Sequence, residues 1–163
     1  MQKRNSSQPH HEELLKYLAR MLADTYVLYV KTQNFHWNVV DTRFRSLHKL
    51  FEEQYEDLAE AADLLAERMR VYNMPALGSM RRFLEFASLK ESDENLDGDI
   101  MLLELHQDHQ AMSKALSEGI AMADEQGDPA LADIYTQRLR VHDKTAWMLR
   151  SHLLESGALV ASR

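Results

Sequence analysis

The chain of 163 residues contains no cysteine, which excludes disulfides and thiolate metal sites and removes a side chain that oxidants readily damage. Glycine and proline are scarce, five and three residues, so regular elements can run long without a break. No apolar run approaches the roughly 20 residues needed to cross a bilayer. The start MQKRNSSQPHH lacks the apolar centre of a secretory signal, so a cytoplasmic protein with no membrane association is expected. Basic charge is short as well: 19 Lys and Arg against 26 Asp and Glu leave a net charge of −7. That balance excludes a surface broadly coated for phosphate neutralisation. The terminal basic groups are Lys3, Arg4 and Arg163, a thin set whose binding to DNA would be weak and salt-sensitive unless many copies acted together.

What is present is helical periodicity, in a chain long enough for one domain and 45% hydrophobic. Residues 1–9 read as a flexible arm, with Pro9 near the start of a first helix over about 10–38 that carries Leu14, Leu18, Met21, Leu22, Thr25, Leu28, Gln33 and His36 on one face. Asp41 or Thr42 can cap a second helix, which runs to about Val71 before Asn73, Pro75 and Gly78 break it. A short turn of helix covers 80–86. A third helix follows the SDEN stretch at 92–95 and runs to about Asp124, with Leu102, Leu105, His109, Met112, Leu116 and Ile120 on its face and Gly119 as a mild interruption. The fourth opens with Asp128 as cap and Pro129 at its first position, continues through Leu131, Ile134, Arg138, Val141, Thr145, Met148 and His152 to about Glu155, and stops at Gly157. A short tail, 157–163, remains. Four long helices with short first and last connections and a long crossover between second and third make an all-α, ferritin-like four-helix bundle over 10–156, its crossover carrying a short helix.

The second helix carries two stripes. At about 100° per residue, Phe44, Leu47, Tyr55, Leu58, Ala62, Leu65 and Met69 lie within roughly 40° of Phe51, an apolar core face. His48, Glu52, Ala59, Asp63 and Glu67 form a second stripe beside it, four of them metal-ligand types, with no Arg or Lys among them. At about 1.5 Å rise per residue, Glu52 and Asp63 are some 16 Å apart along the axis, so one helix cannot close both ends around one ion. A second copy laid antiparallel across a two-fold axis near 56–59 brings His48 and Glu52 of one chain opposite Asp63 and Glu67 of the other. Ala59 and Ala62 permit the approach, and His36 adds an imidazole from the preceding helix. Three carboxylates gathered at a subunit boundary are costly to desolvate without a partner. A divalent cation supplies the charge, and an oxygen and imidazole set suits iron or manganese, iron first. Ferritin-like di-iron bundles that keep their ligands inside one subunit use Glu-x-x-His motifs, and none occurs here.

These residues carry a resemblance. H-W-N-V at 36–39, twelve residues from His36 to His48, L-H-x-x-F-E at 47–52 and D-x-x-x-E-R at 63–68 are similar to the DNA-binding proteins from starved cells (Dps), the mini-ferritins. The likeness extends more weakly along the whole chain, including ALG at 76–78 and DK-x-x-W at 143–147. It implies that His36, His48 and Glu52 of one chain bind iron with Asp63 and Glu67 of its mate, although position 52 is often Asp in that family. It further implies a homo-dodecamer with tetrahedral symmetry, ferroxidase chemistry in which hydrogen peroxide or dioxygen oxidises Fe²⁺, and storage of Fe³⁺ in the cavity. Asp128 and Asp133 align with family positions that line three-fold pores, and Trp37 with an aromatic near the iron that can trap radicals.

Each reading has a plainer rival. His48 alone could be a hydrogen-bonded interface histidine, and Asp63 or Glu67 a solvated charge paired with Arg68 or Arg70. Asp128 is sufficient as a helix cap. Trp37 can be interface packing, and Trp147 reads as core. Glu53, Glu56 and Glu60 extend an acidic flank that either seeds ferric mineral or faces solvent. His106, His109, His142 and His152 read as packing or interface residues, and the nine methionines as core filler. At the level of the whole chain, the rivals are a nucleoid-associated DNA scaffold and a metal-independent helical interaction module.

Overall fold

The computed structural model describes residues 8–92 and 96–156, with side chains from 10 to 92 and 96 to 153. Lys3, Arg4, Arg163, the tail with Gly157, and residues 93–95 of the expected cap lie outside them. The described residues form α1 (Gln8–Asn38), α2 (Phe44–Val71), the short α3 (Met80–Phe86), α4 (Gly98–Glu125) and α5 (Pro129–Ser156), with no strand among them. α1 packs chiefly on α2 and α4 on α5, the two pairs meet through α1 and α4, and α3 lies on α1. Their core is built from residues such as Leu18, Phe35, Phe51, Leu58, Leu105 and Leu149, all essentially inaccessible. Each such side chain contributes roughly 1.5–3 kcal/mol by leaving water.

The ends of the helices follow local chemistry. Asn73 (φ 59°) and Gly127 (φ 66°) sit in the left-handed region just past α2 and α4. Behind them the amides of Asn73 and Met74 bond the carbonyls of Arg70 and Met69, and those of Gly127 and Asp128 bond Asp124 and Ala123. Both are Schellman endings, which satisfy carbonyls the helix leaves free. Asp128 then turns the chain into α5: its Oδ1 accepts the Leu131 amide at 3.0 Å, and Pro129 follows as first helical residue. Three residues, Gln126 to Asp128, thus connect α4 to α5.

Four expectations change. Thr42 caps nothing; α2 starts at Phe44, and the Asp41 carboxylate accepts the Arg43 amide at 2.7 Å while the Arg43 guanidinium binds Asp41 (2.6 Å) and Asp99 (2.7 Å). α4 begins at Gly98, with Asp97 beyond the SDEN stretch at its N-cap position and no side-chain cap bond; a Cβ at 98 would collide with the Asp41 carboxylate, so the helix start is packed against the α1–α2 corner. Finally, the most buried row of α5 is Leu131, Tyr135, His142, Leu149 and Leu153, one residue round from the row through Ile134, Val141 and Met148. The polar tips of Tyr135 and His142 hide that row from a hydropathy reading, and Trp147, expected in the core, is 58% exposed. No helix among the described residues is long and apolar enough to cross a membrane.

Candidate metal centre

His36 closes the last turn of α1 and His48 opens the second turn of α2, so the corner at 39–43 folds them onto each other. Their rings stack with centroids 3.8 Å apart and planes 20° from parallel. The Nδ1–H of His36 donates to the His48 carbonyl and the Nδ1–H of His48 to the His36 carbonyl, both at 2.8 Å. Carbonyl acceptors require the proton on Nδ1, so each neutral ring presents an Nε2 lone pair, the form that ligates a metal. Phe44 stacks on the outer face of His48, and the Tyr55 ring meets His36 edge-on at 5.2 Å. His36 is buried and His48 half-buried.

Glu52 lies one turn beyond His48. Its carboxylate accepts from Lys49 Nζ at 2.7 Å, and that bond, with the nearby imidazoles contributing less, holds its pKa below the usual range. Lys49 thus reaches the ligand stripe from the neighbouring face, which the angular reading did not foresee. Asp63 and Glu67 are exposed farther along α2 and make no hydrogen bond or ion pair with a described residue. Arg68, the suggested partner, is committed elsewhere: its NH2 lies 2.5 Å from Asp128. Among the described residues of one chain, no three His, Asp or Glu side chains come together as a metal site. Ala59, Ala62 and Asp63 line a groove of about 300 Å³ with Tyr26, Tyr29 and Phe83.

The remaining candidates occupy separate places. Asp128 accepts from the Leu131 amide, Arg68 and the Tyr72 hydroxyl. Burial acts to raise its pKa, but these bonds outweigh it and leave the carboxyl below its ordinary value. Asp133 is exposed one turn on and accepts from Gln137 at 2.7 Å. Glu53, Glu56 and Glu60 are exposed along α2, and Trp37 is 66% exposed. His106 donates through Nδ1 to the Ala146 carbonyl (3.0 Å), and His152 is half-buried on α5. His109 and His142 are buried, Nδ1 to Nδ1 at 2.8 Å, near an Arg138–Asp57 pair with contacts of 3.0 and 2.6 Å. Periodicity had placed His109 and Arg138 on the inward faces of their helices and His142 among the packing residues, but it gave no sign that Asp57 of α2 joins them.

The chain matches the family model described as a ferritin-like domain over residues 15–156. It is 41% identical over 142 residues to a low temperature-induced protein of Nostoc sp., covering 86% of this chain and 79% of that one. It is 30% identical to DNA protection during starvation protein 2 of Bacillus anthracis, covering 88% and 98%. Among solved structures, Dps from Thermosynechococcus elongatus superposes with a TM-score of 0.88 at 29% identity over 91% of this chain and 95% of that one. The Dps protein of Vibrio cholerae O1, a member of a broad superfamily of ferritin-like diiron-carboxylate proteins, does so at 0.84 and 29% over 89% and 91%. With the imidazole pair, the acidic stripe and an all-helical bundle in place, the chain belongs to the ferritin-like family, as a member of its Dps branch.

Proposed function

We propose that this protein sequesters iron, oxidising Fe²⁺ at sites shared by two subunits and holding the Fe³⁺ inside a dodecameric cage. The observation that carries the reading is the His36–His48 clasp, with two Nε2 lone pairs presented at one end of α2, while Asp63 and Glu67 project at the other without partners among the described residues. A mate packed antiparallel supplies what each end lacks. Glu52, released from Lys49, completes the near side. The Asp63 and Glu67 carboxylates of the mate favour the higher charge of the ferric product, and coordination positions left open admit the oxidant.

Hydrogen peroxide is the preferred oxidant in this reading, with dioxygen the alternative. Two Fe²⁺ and one peroxide consume two protons and yield two Fe³⁺ and two waters, so both electrons leave together and no hydroxyl radical escapes. Fe²⁺ reaches the cavity through acidic pores at Asp133, with Asp128 contributing charge while serving as cap, and Glu53, Glu56 and Glu60 seed the mineral. DNA is protected chiefly by removing the reagents that cut it, in the cytoplasm, since few basic groups are available for direct contact.

The test is complementation between subunits. His48→Ala and Asp63→Ala cages, assembled separately, should each lose peroxide-driven ferric formation after anaerobic Fe²⁺ addition. Co-assembled, a His48→Ala subunit paired with an Asp63→Ala subunit retains one intact site of two, and activity should return to about half in such pairs. Wild-type rates in the single variants, or no recovery in mixed cages, would overturn the shared site.

A further inference from the structure

The aromatic contacts of this chain form a path that starts at the proposed iron site. Tyr55 meets His36 edge-on at 5.2 Å, Tyr29 meets Tyr55 at 6.1 Å and 73°, and Tyr26 meets Tyr29 at 5.7 Å and 66°. Gln33 Nε2 donates to the Tyr29 hydroxyl at 3.2 Å. Tyr26 and Tyr29 both line the groove that contains Asp63, the residue proposed to serve the mate's site. Trp37, although beside His36 in sequence, makes no ring contact with a described residue and points away into solvent at 66% exposure.

We propose that Tyr55, Tyr29 and Tyr26 form a one-electron relay joining the two iron sites of a subunit pair; this rests on the site proposed above. Packing alone would be served as well by phenylalanine, whereas three phenols in ring contact each hold a hydrogen atom that a strong oxidant can remove. The need arises when a site holds a single ferrous ion. Peroxide accepts two electrons, and one Fe²⁺ supplies one. With Tyr55 as the second donor, Fe²⁺, H₂O₂, the phenol and one proton give Fe³⁺, two waters and the phenoxyl radical. The vacancy moves through Tyr29 to Tyr26 by electron transfer between neighbouring rings, each phenol releasing its proton to solvent as the preceding one regains its own. A second Fe²⁺ at the mate's site, beside Asp63, then reduces the radical, taking up one proton and leaving Fe³⁺. The sum is the same two-iron, one-peroxide reaction, with its electrons drawn from opposite ends of the seam.

The relay is tested in the intact assembly loaded with less Fe²⁺ than sites, mixed with peroxide and frozen for electron paramagnetic resonance, with a spin trap in a parallel sample. Co²⁺ binding, followed by absorption, reports the ligand set independently of turnover. The wild type should show a phenoxyl radical and little hydroxyl adduct. Tyr55→Phe, which keeps the ring against His36, should lose most of the radical and release severalfold more adduct per iron, with Co²⁺ still bound. Tyr29→Phe should leave a radical confined to Tyr55 and slower to decay. Unchanged radical and adduct yields in Tyr55→Phe, with Co²⁺ still bound through His48, would overturn the relay alone. Co²⁺ binding indifferent to His48→Ala would overturn the iron site and the relay with it.

Discussion

Acid should weaken this fold above the pH range in which its carboxylates titrate, through the buried pair on α4 and α5. Burial, reinforced by the positive charge of Arg138, lowers His109 from an ordinary value of 6.5 to about 3, and burial with the neighbouring His109 ring pushes His142 well down too. His109 Nε2 is buried without a partner among the described residues, which favours His109 as the Nδ1–H donor of the pair, since a bare lone pair is cheaper to bury than an N–H. Both rings are therefore neutral in the folded chain. Once unfolded they bind protons as the pH drops below about 6.5, so the unfolded state holds more protons and stability falls with falling pH. The loss runs at roughly 1.4 kcal/mol per pH unit per histidine until the folded value is reached, about 3 kcal/mol at about pH 4.5 for His109 and up to twice that if His142 behaves alike. Asp41, held down to about 2 chiefly by its bond to Arg43, loses its contribution only as the pH falls below its ordinary 3.8, so the two windows separate. The measurement is urea unfolding followed by far-ultraviolet circular dichroism at fixed subunit concentration, because association adds to apparent stability. His109→Gln/His142→Gln should be less stable at neutral pH and show a flatter decline between pH 6.5 and about 4.5. An identical slope in the variant and the wild type would refute the reasoning.

Two further outcomes follow from packing. Gly119→Ala should destabilise by about 1–3 kcal/mol in a thermal melt even though alanine is the better helix former, because its Cβ would lie 2.8 Å from the ring of the fully buried Tyr135. A raised melting temperature would mean that Tyr135 yields easily. Asp128→Ala should cost about 2 kcal/mol or more by removing the α5 cap along with the acceptor for Arg68 and Tyr72, whereas Asp128→Asn should cost less because an amide oxygen still accepts the Leu131 N–H. Equal melting temperatures for the two variants would contradict the capping role.

The long helices and the core face of α2, apart from the exposed Phe44, were legible because their signals are local: 3.6-residue periodicity, Asn73 just past a helix end, Pro129 at a helix start. The residues misread depend on distant partners. Arg43 binds Asp41 beside it and Asp99, 56 residues away in sequence, and that contact holds the start of α4 against the α1–α2 corner. Tyr135 and His142 carry the buried face of α5; His142 was already read as a packing residue, but the polar tip of Tyr135 left the row through Ile134, Val141 and Met148 as the more apolar one. Of the proposed site, the spacing of His36 and His48 was readable, but the exchange of hydrogen bonds from each ring to the other's main-chain carbonyl was not, since it depends on the path of the corner at 39–43.

That exchange makes the two imidazoles interdependent. Each ring is anchored to a peptide group that belongs to the other, so fraying of the final turn of α1 would release both donors at once rather than one after the other. Metal capture at this corner should accordingly behave as all or nothing, and a bound ion should tie the last turn of α1 to the second turn of α2, slowing amide exchange in both by a similar factor.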